Sequence, residues 1–172
     1  MTLEQLAKWM AEQGYPKKNQ LDGIILLQPI TTHRVGGTER KRTRLLKNIL
    51  GEDAFNHIII ATTMWEQIKN ENHMEERLKD RRDDLWGDMV ARGAQIVKYA
   101  NNEDSAREII RKVLEMSERS GKLKPLLQKE LIKNPLVVES TAGRDVKQQV
   151  ENKIKHTRRQ LDDHAKKRPA RP

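Results

Sequence analysis

Three segments hold the residues best placed for chemistry, because each follows a predicted strand. Gln28–Gly37 follows the first strand, Thr63–Glu66 the second and Ala100–Asn102 the third. In an open α/β sheet, ligands bind in the crevice at the carboxyl ends of the strands. We therefore expect any ligand site of this chain to be built from these three segments.

Composition and spacing exclude several kinds of site. The chain of 172 residues has no cysteine, which rules out a disulfide scaffold, a thiol nucleophile and a cysteine zinc site. Its five histidines show no metal-ligand spacing, and the sequence supports no serine–histidine–aspartate triad and no pair of catalytic carboxylates. The string G-x-x-x-x-G-K-[ST], whose backbone N–H groups and lysine hold phosphates, is absent.

The pattern of apolar residues predicts strands and helices in alternation. Short aliphatic runs predict three strands, and longer stretches with apolar residues three and four positions apart predict helices. Alternation of this kind favours an α/β fold with a parallel sheet. The predicted strands are Ile24–Leu27, Ile58–Thr62 and Gln95–Tyr99, and the predicted helices are Leu3–Gln13, Thr38–Leu50, His73–Arg92, Asp104–Ser117, Leu123–Leu131 and Gly143–His164.

The connections between these elements predict two layers of helices. Right-handed crossovers place Leu3–Gln13 and both connecting helices on one face of the sheet, and Asp104–Ser117 on the other. The continuous apolar run Ile24–Leu27 predicts a strand that is covered on both faces. Residues 1–120 form the predicted sheet domain. Residues 121–172 form a helical extension with a basic tail, and the end of that tail, Arg168–Pro172, should be frayed.

Much of the chain, about residues 3 to 146, resembles a known family. The most specific part is the strand Ile58–Thr62 with the following box Thr63-Met64-Trp65. Further matching segments are Leu21–Ile30, Arg34–Gly37, Leu45–Ala54, Gly93-Ala94, Asn101, Ser105-Ala106, Ile109-Ile110, Leu126–Leu131 and Thr141–Gly143. On these residues the chain resembles fungal P-loop GTPase-like proteins, which are G-domain proteins related to the AIG1-type and septin-like GTPases.

The resemblance implies a guanine-recognition loop at Thr63–Glu66. Glu66 would be the acid that accepts the two edge N–H groups of guanine, and Met64 would cover the base. Adenine offers no such pair of donors and would leave the carboxylate unpaired. The family's second base loop would lie at Tyr99–Asn102, where backbone N–H groups and Asn101 would meet the base.

The phosphate-binding parts of that family have no counterpart here. A D-x-x-G match exists at Asp84–Gly87, but it falls inside a predicted helix rather than after a strand. The resemblance therefore implies the carboxyl half of a G domain, an incomplete P-loop NTPase-like fold whose phosphate strand would lie upstream of Met1. We expect weak binding of GTP or GDP, no hydrolysis by this chain alone, and no Mg²⁺ site.

Charge supports a second hypothesis, a basic interaction module. The net charge is +9, and it concentrates in Arg34–Lys47, with six basic residues and one acidic, and in Arg144–Pro172, with ten basic and four acidic. Such surfaces attract nucleic acid, anionic surfaces or a protein partner, although a solvated helix face has the same composition. The expected partner segments are Arg34–Lys47 and Arg144–Arg171.

Two further expectations concern assembly and location. The strand Ile24–Leu27 would leave one edge of the sheet open, which invites pairing with a second copy of the chain. No apolar stretch approaches the ~20 residues that cross a bilayer, and Glu4 and Lys8 interrupt any apolar stretch at the N-terminus. We expect a cytoplasmic protein without a membrane span.

Overall fold

A computed structural model of the chain describes residues 2–13, 20–31, 34–68 and 70–166. The helices and strands alternate as far as residue 120, and only helices follow. Short 3₁₀ turns occupy Glu52–His57, Trp65–Gln67 and Val137–Glu139, and a π turn occupies Arg82–Trp86. The main elements are α1 (Leu3–Gln13), β1 (Ile24–Pro29), α2 (Gly37–Leu50), β2 (Ile58–Thr63), α3 (Glu71–Arg81), α4 (Gly87–Ala91), β3 (Gln95–Lys98), α5 (Glu103–Ser120), α6 (Leu126–Lys133) and α7 (Thr141–Lys166).

The sheet has three parallel strands in the order β1-β2-β3. Ile24 lies opposite Ile58, and Ile59 lies opposite Gln95, so the carboxyl ends of the three strands share one edge. The predicted α/β class with a short parallel sheet is therefore confirmed. Its finer assignment as part of a P-loop NTPase-like fold stays a prediction.

Each face of the sheet has its own apolar cluster. The larger one joins α1, α2, the α3–α4 region and α6 around Ile58 and Ile60, with Trp86 and Leu127 fully buried within it. On the other face, α5 packs Ile109, Val113 and Met116 onto Ile59 and Ala61 of the central strand. The helices thus lie on the faces that right-handed crossovers predict.

Strand β1 is not covered on both faces, so that prediction was wrong. Ile25 is exposed, and Leu27 is 60% exposed. The burial of β1 alternates because α5 packs over the central strand β2, where its cluster includes Ile59 and Ala61 but no residue of β1. Within the described ranges β1 pairs with β2 alone, so it forms an edge of the sheet.

The predicted helix His73–Arg92 is interrupted rather than continuous. It divides into α3, the π turn Arg82–Trp86 and α4. A π turn adds a residue to the helical repeat and changes which side chains face inward. Here the turn carries Leu85 and Trp86 into the core, both of them buried.

The C-terminal helices pack on the same core as the sheet domain. Leu123, Leu127 and Ala142 belong to the larger cluster. Helix α7 begins after Ser140, whose Oγ accepts a hydrogen bond from the N–H of Gly143 at 3.0 Å. From residue 151 to 161 every side chain is exposed, so the second half of α7 extends beyond the body. The predicted fraying of Arg168–Pro172 lies outside the described residues.

No helix within the described ranges is both long enough and apolar enough to cross a membrane.

Candidate functional site

The two predicted base loops meet at the carboxyl ends of β2 and β3, where Thr62 joins them. The carbonyl oxygen of Thr62 accepts a hydrogen bond from the indole Nε1 of Trp65 at 2.8 Å and another from the backbone N–H of Tyr99 at 2.9 Å. The hydroxyl of Thr62 donates to the carbonyl of Val97 at 3.1 Å. One buried residue therefore fixes the positions of both loops relative to each other.

Both loops contain a residue in an unusual backbone conformation. Met64 has a φ of 64° and Asn101 a φ of 55°, and in the part of the chain that the structure describes they are the only non-glycine residues with positive φ. Met64 pays about 1–2 kcal/mol for this conformation, whereas asparagine adopts it more readily because its short polar side chain can form local hydrogen bonds. Backbone strain clusters at ligand-binding sites, where the surrounding structure holds it in place. The strained residue of the first loop and the left-handed residue of the second mark this edge of the sheet as the candidate site.

The side chains of the first loop have distinct environments. Trp65 is half-buried and held by Thr62, whereas Met64 and Glu66 are exposed. Glu66 makes no hydrogen bond or ion pair to any residue that the structure describes. The loop, which starts from Thr63 at the end of β2, therefore presents an exposed thioether and a carboxylate that no described residue pairs.

The second loop is held by the start of α5. Asn102 caps this helix, because its Oδ1 accepts a hydrogen bond from the N–H of Ser105 at 2.9 Å. The hydroxyl of Ser105 in turn accepts from the N–H of Ala100 at 3.2 Å. The N–H groups of Tyr99 and Ala100 are thus used within the fold. Tyr99 positions the loop from a half-buried site, and exposed Asn101 is the side chain that the loop presents.

Lys98 is a member of the site that the sequence pattern did not suggest. Its Nζ lies 4.8 Å from the ring centroid of Trp65, within the range of a cation–π interaction. Its place as the last residue of β3, opposite Thr62, is the signal that could have identified it. Lys98 is exposed, so it adds a positive charge to this edge of the sheet beside the ring of Trp65.

The first predicted segment, after β1, is held by a buried ion pair. The Arg81 side chain is fully buried and its Nε lies 3.1 Å from Oε1 of Glu39, whose side chain is 13% exposed. The same Oε1 accepts from Nε2 of Gln28 at 2.8 Å. Arg77 donates to the carbonyl of Thr31 at 2.5 Å. These bonds tie the end of β1 to the first turn of α2 and to α3, so they stabilise the fold at the described part of this segment.

The described residues hold no group of three or more histidines and carboxylates that could bind a metal ion. The D-x-x-G match begins at Asp84, which lies in the π turn and therefore inside a helical region, as predicted. The carboxylate of Asp84 lies 2.8 Å from Nη2 of Arg40. Asp84 therefore serves as the partner of a surface arginine.

The basic residues of α2 divide into two groups. Arg40, Arg44 and Lys47 are paired with acids of neighbouring elements, namely Asp84 at 2.8 Å, Asp145 at 2.9 Å and Asp88 at 2.6 Å. Lys41 and Arg42 have no ion-pair partner among the described residues, and they line a groove between α2 and α7. Arg34 also has no ion-pair partner among the described residues, so two of the three unpaired cations of the predicted segment Arg34–Lys47 lie at that groove.

Searches of this chain against protein-family models, curated proteins and solved structures found no match.

Proposed function

We propose that this chain is a P-loop GTPase-like protein that binds the base of a guanine nucleotide and does not hydrolyse it alone. The observation that supports this proposal most is the pairing of two loops, each with a left-handed residue, through Thr62 at the carboxyl edge of a parallel sheet. This is the edge at which open α/β sheets bind ligands. The unpartnered carboxylate of Glu66 supplies the required chemistry.

The chemistry of recognition is a difference in hydrogen-bond donors. Guanine presents its N1–H and its 2-amino group side by side, and the carboxylate of Glu66 accepts both. Adenine offers no pair of donors there, so the carboxylate would lose its hydration without compensation. Met64 covers the ring, while Trp65, fixed by Thr62, keeps Glu66 at the rim.

The expected affinity is low because the chain lacks the motif that holds a triphosphate. Two charge-assisted hydrogen bonds contribute about 1.5–3 kcal/mol each, and the cost of association offsets much of this. A net binding free energy of about −4 kcal/mol corresponds to a Kd of about 1 mM. We expect magnesium to leave this value unchanged, because the described residues hold no group of acids and histidines that could bind it.

Replacing Glu66 by Ala should remove the preference for guanine over adenine nucleotides. The change deletes the acceptor and leaves the backbone of the loop in place. Calorimetric titration with GTP, GDP and ATP, with and without Mg²⁺, measures the preference. Glu118→Ala is the matched control, because Glu118 is an exposed glutamate of α5 without an ion-pair partner in the described ranges. Sub-micromolar binding that requires magnesium would contradict the proposal.

A second candidate function, a basic interaction module, is favoured by the unpaired cations of α2 and α7. Lys41, Arg42 and Lys153 line one groove, and no described acid pairs with them. We expect the chain to bind a single-stranded RNA oligonucleotide with an affinity that falls steeply as salt rises, because binding to a polyanion releases counterions. Fluorescence anisotropy across a salt series measures this. Binding that is insensitive to salt would count against it.

Self-association through the edge of β1 also stays a proposal. The open edge and the exposed side chain of Leu27 are the features that support it. Leu27→Lys should shift any dimer toward monomer, since a charge on an edge strand opposes pairing. Sedimentation velocity measures the shift. An unchanged sedimentation coefficient in a self-associating protein would place the contact elsewhere.

A further inference from the structure

The groove between α2 and α7 combines an apolar floor with a basic rim. Leu45, Val146 and Val150 contribute apolar surface, and Lys41, Arg42 and Lys153 surround it, enclosing about 320 Å³. Because most of the lining is apolar, the groove suits a ligand with a row of apolar side chains. The cations at its rim favour a ligand that is negatively charged.

The charge at the rim is not neutralised within the described part of the molecule. Asp145 lies near the groove, but Nη2 of Arg44 lies 2.9 Å from its Oδ1. Glu151 is the one other acid of α7 among residues 141–161. A ligand in the groove therefore meets a net positive surface, and acidic groups on that ligand would be favoured.

The apolar floor continues along the exposed half of α7. Val150, Ile154 and Leu161 lie on one side of the helix, and all are exposed, Leu161 at 64%. Their spacing of four and seven residues gives a narrow seam, typical of helix–helix contacts rather than of the broad apolar face that a globular core needs. From Val146 to Leu161 the seam runs about 22 Å, the length of about four helical turns.

We propose that an acidic amphipathic helix of a partner protein docks in the α2–α7 groove and along this seam. The proposal rests on the second candidate function, the basic interaction module, and names its site and partner. Apolar side chains at every third or fourth position of the partner would fill the groove, and flanking glutamates or aspartates would pair with Lys41, Arg42 and Lys153. This is the helix-in-groove mode of recognition.

The same observations disfavour the other occupants. A second copy would bring an equally basic seam against this one. A membrane-surface helix usually has a broad apolar face with aromatic residues, whereas α7 contains no Phe, Trp or Tyr. Nucleic acid would be held by the cations alone, which gives the salt-dependent and nonspecific binding expected above. It would leave the apolar floor unused, and α7 lacks the aromatic side chains on which bases stack.

The test uses the full chain and a synthetic amphipathic peptide of about five helical turns. Its leucines stand three and four positions apart, and its flanking positions are glutamate. A control peptide carries lysine in place of every glutamate. Fluorescence anisotropy should show binding of the acidic peptide, and at least about tenfold weaker binding of the basic one.

Matched variants locate the contact. The double variant Lys41→Glu and Lys153→Glu should lower the affinity for the acidic peptide at least about tenfold. The control, Lys133→Glu with Arg159→Glu, makes an equal change in charge outside the groove and should change that affinity less than about twofold. Ile154→Ser should lower the affinity for the acidic peptide by a similar factor of about ten. Ile132 is an exposed isoleucine on α6, and Ile132→Ser should leave that affinity unchanged. Circular dichroism checks that each variant keeps its helices.

Several outcomes would overturn the proposal. Equal weakening by both charge variants would mean nonspecific attraction. Dimerisation that Ile154→Ser abolishes would assign the seam to a second copy, and binding to phosphatidylserine vesicles in place of the peptide would assign it to a membrane. RNA binding without peptide binding would refute the docked helix and leave the basic module standing, whereas loss of both would refute both.

Discussion

Replacing Arg81 by Met should lower the free energy of unfolding by about 3–5 kcal/mol, because it removes one partner of a buried ion pair. Arg81 is fully buried, and Glu39 would remain with its side chain only 13% exposed and no cation beside it. A domain of this size has a total stability of about 5–15 kcal/mol, so the variant should approach the unfolding threshold. Urea unfolding followed by circular dichroism measures the loss.

Two further variants in the same experiment distinguish the loss of the buried ion pair from a general effect of losing an arginine. Adding Glu39→Leu to Arg81→Met should recover much of the stability, since the stranded charge is then gone. Arg107→Met removes an exposed pair with Glu103 and should cost no more than about 0.5 kcal/mol. An Arg81→Met variant as stable as the control would show that the buried pair does not hold the end of β1.

Gly143→Ala should detach the start of α7 from the turn Val137–Glu139. A Cβ at Gly143 would lie 1.9 Å from the carbonyl oxygen of Val137 and 2.9 Å from Cα of Val138. Both atoms belong to the backbone, so the helix itself must move. Overpacking of this kind costs about 1–3 kcal/mol or more, which exceeds the gain of about 1 kcal/mol that alanine brings to a helix.

Thermal unfolding of Gly143→Ala checks this effect, and Gly37→Ala is the control. A Cβ at Gly37 meets no atom within 4 Å, so that variant should be neutral or slightly more stable. Because Gly143 lets α7 pack closely against the rest of the fold, its replacement should also lower the affinity for the acidic peptide. A Gly143→Ala variant as stable as Gly37→Ala would show that the contact is loose.

Local patterns in the sequence predicted most of the helices and strands, but they gave no information on contacts between residues that are distant in the chain. The bounds of α1 follow from residues within one helical turn of each other. The exposure of Ile25 and Leu27 does not, because an apolar run reads the same on an edge strand as on a covered one. The pair Glu39–Arg81 joins residues 42 positions apart, in a segment whose composition suggested a solvated face.

The candidate site shows the same division. The sequence pattern placed Thr63–Glu66 and Asn101 after strands, but it gave no indication of the contact through Thr62 or of the strained backbone at Met64. Likewise, the basic stretch Arg34–Lys47 predicted one charged surface. The structure instead neutralises Arg40, Arg44 and Lys47, and leaves Lys41 and Arg42 to the groove. Acids that are distant in the sequence therefore determine which cations of this stretch remain unpaired and can bind a partner.

Binding of the guanine base is tested most directly by amide chemical-shift mapping of the labelled chain with GMP and with AMP. These ligands carry the base without the triphosphate that the chain lacks a motif to hold. We predict that GMP shifts the amide signals of Thr63–Glu66 and Tyr99–Asn102, and that AMP shifts them much less. Shifts of equal size with both nucleotides, or GMP shifts confined to the α2–α7 groove, would contradict the proposed function.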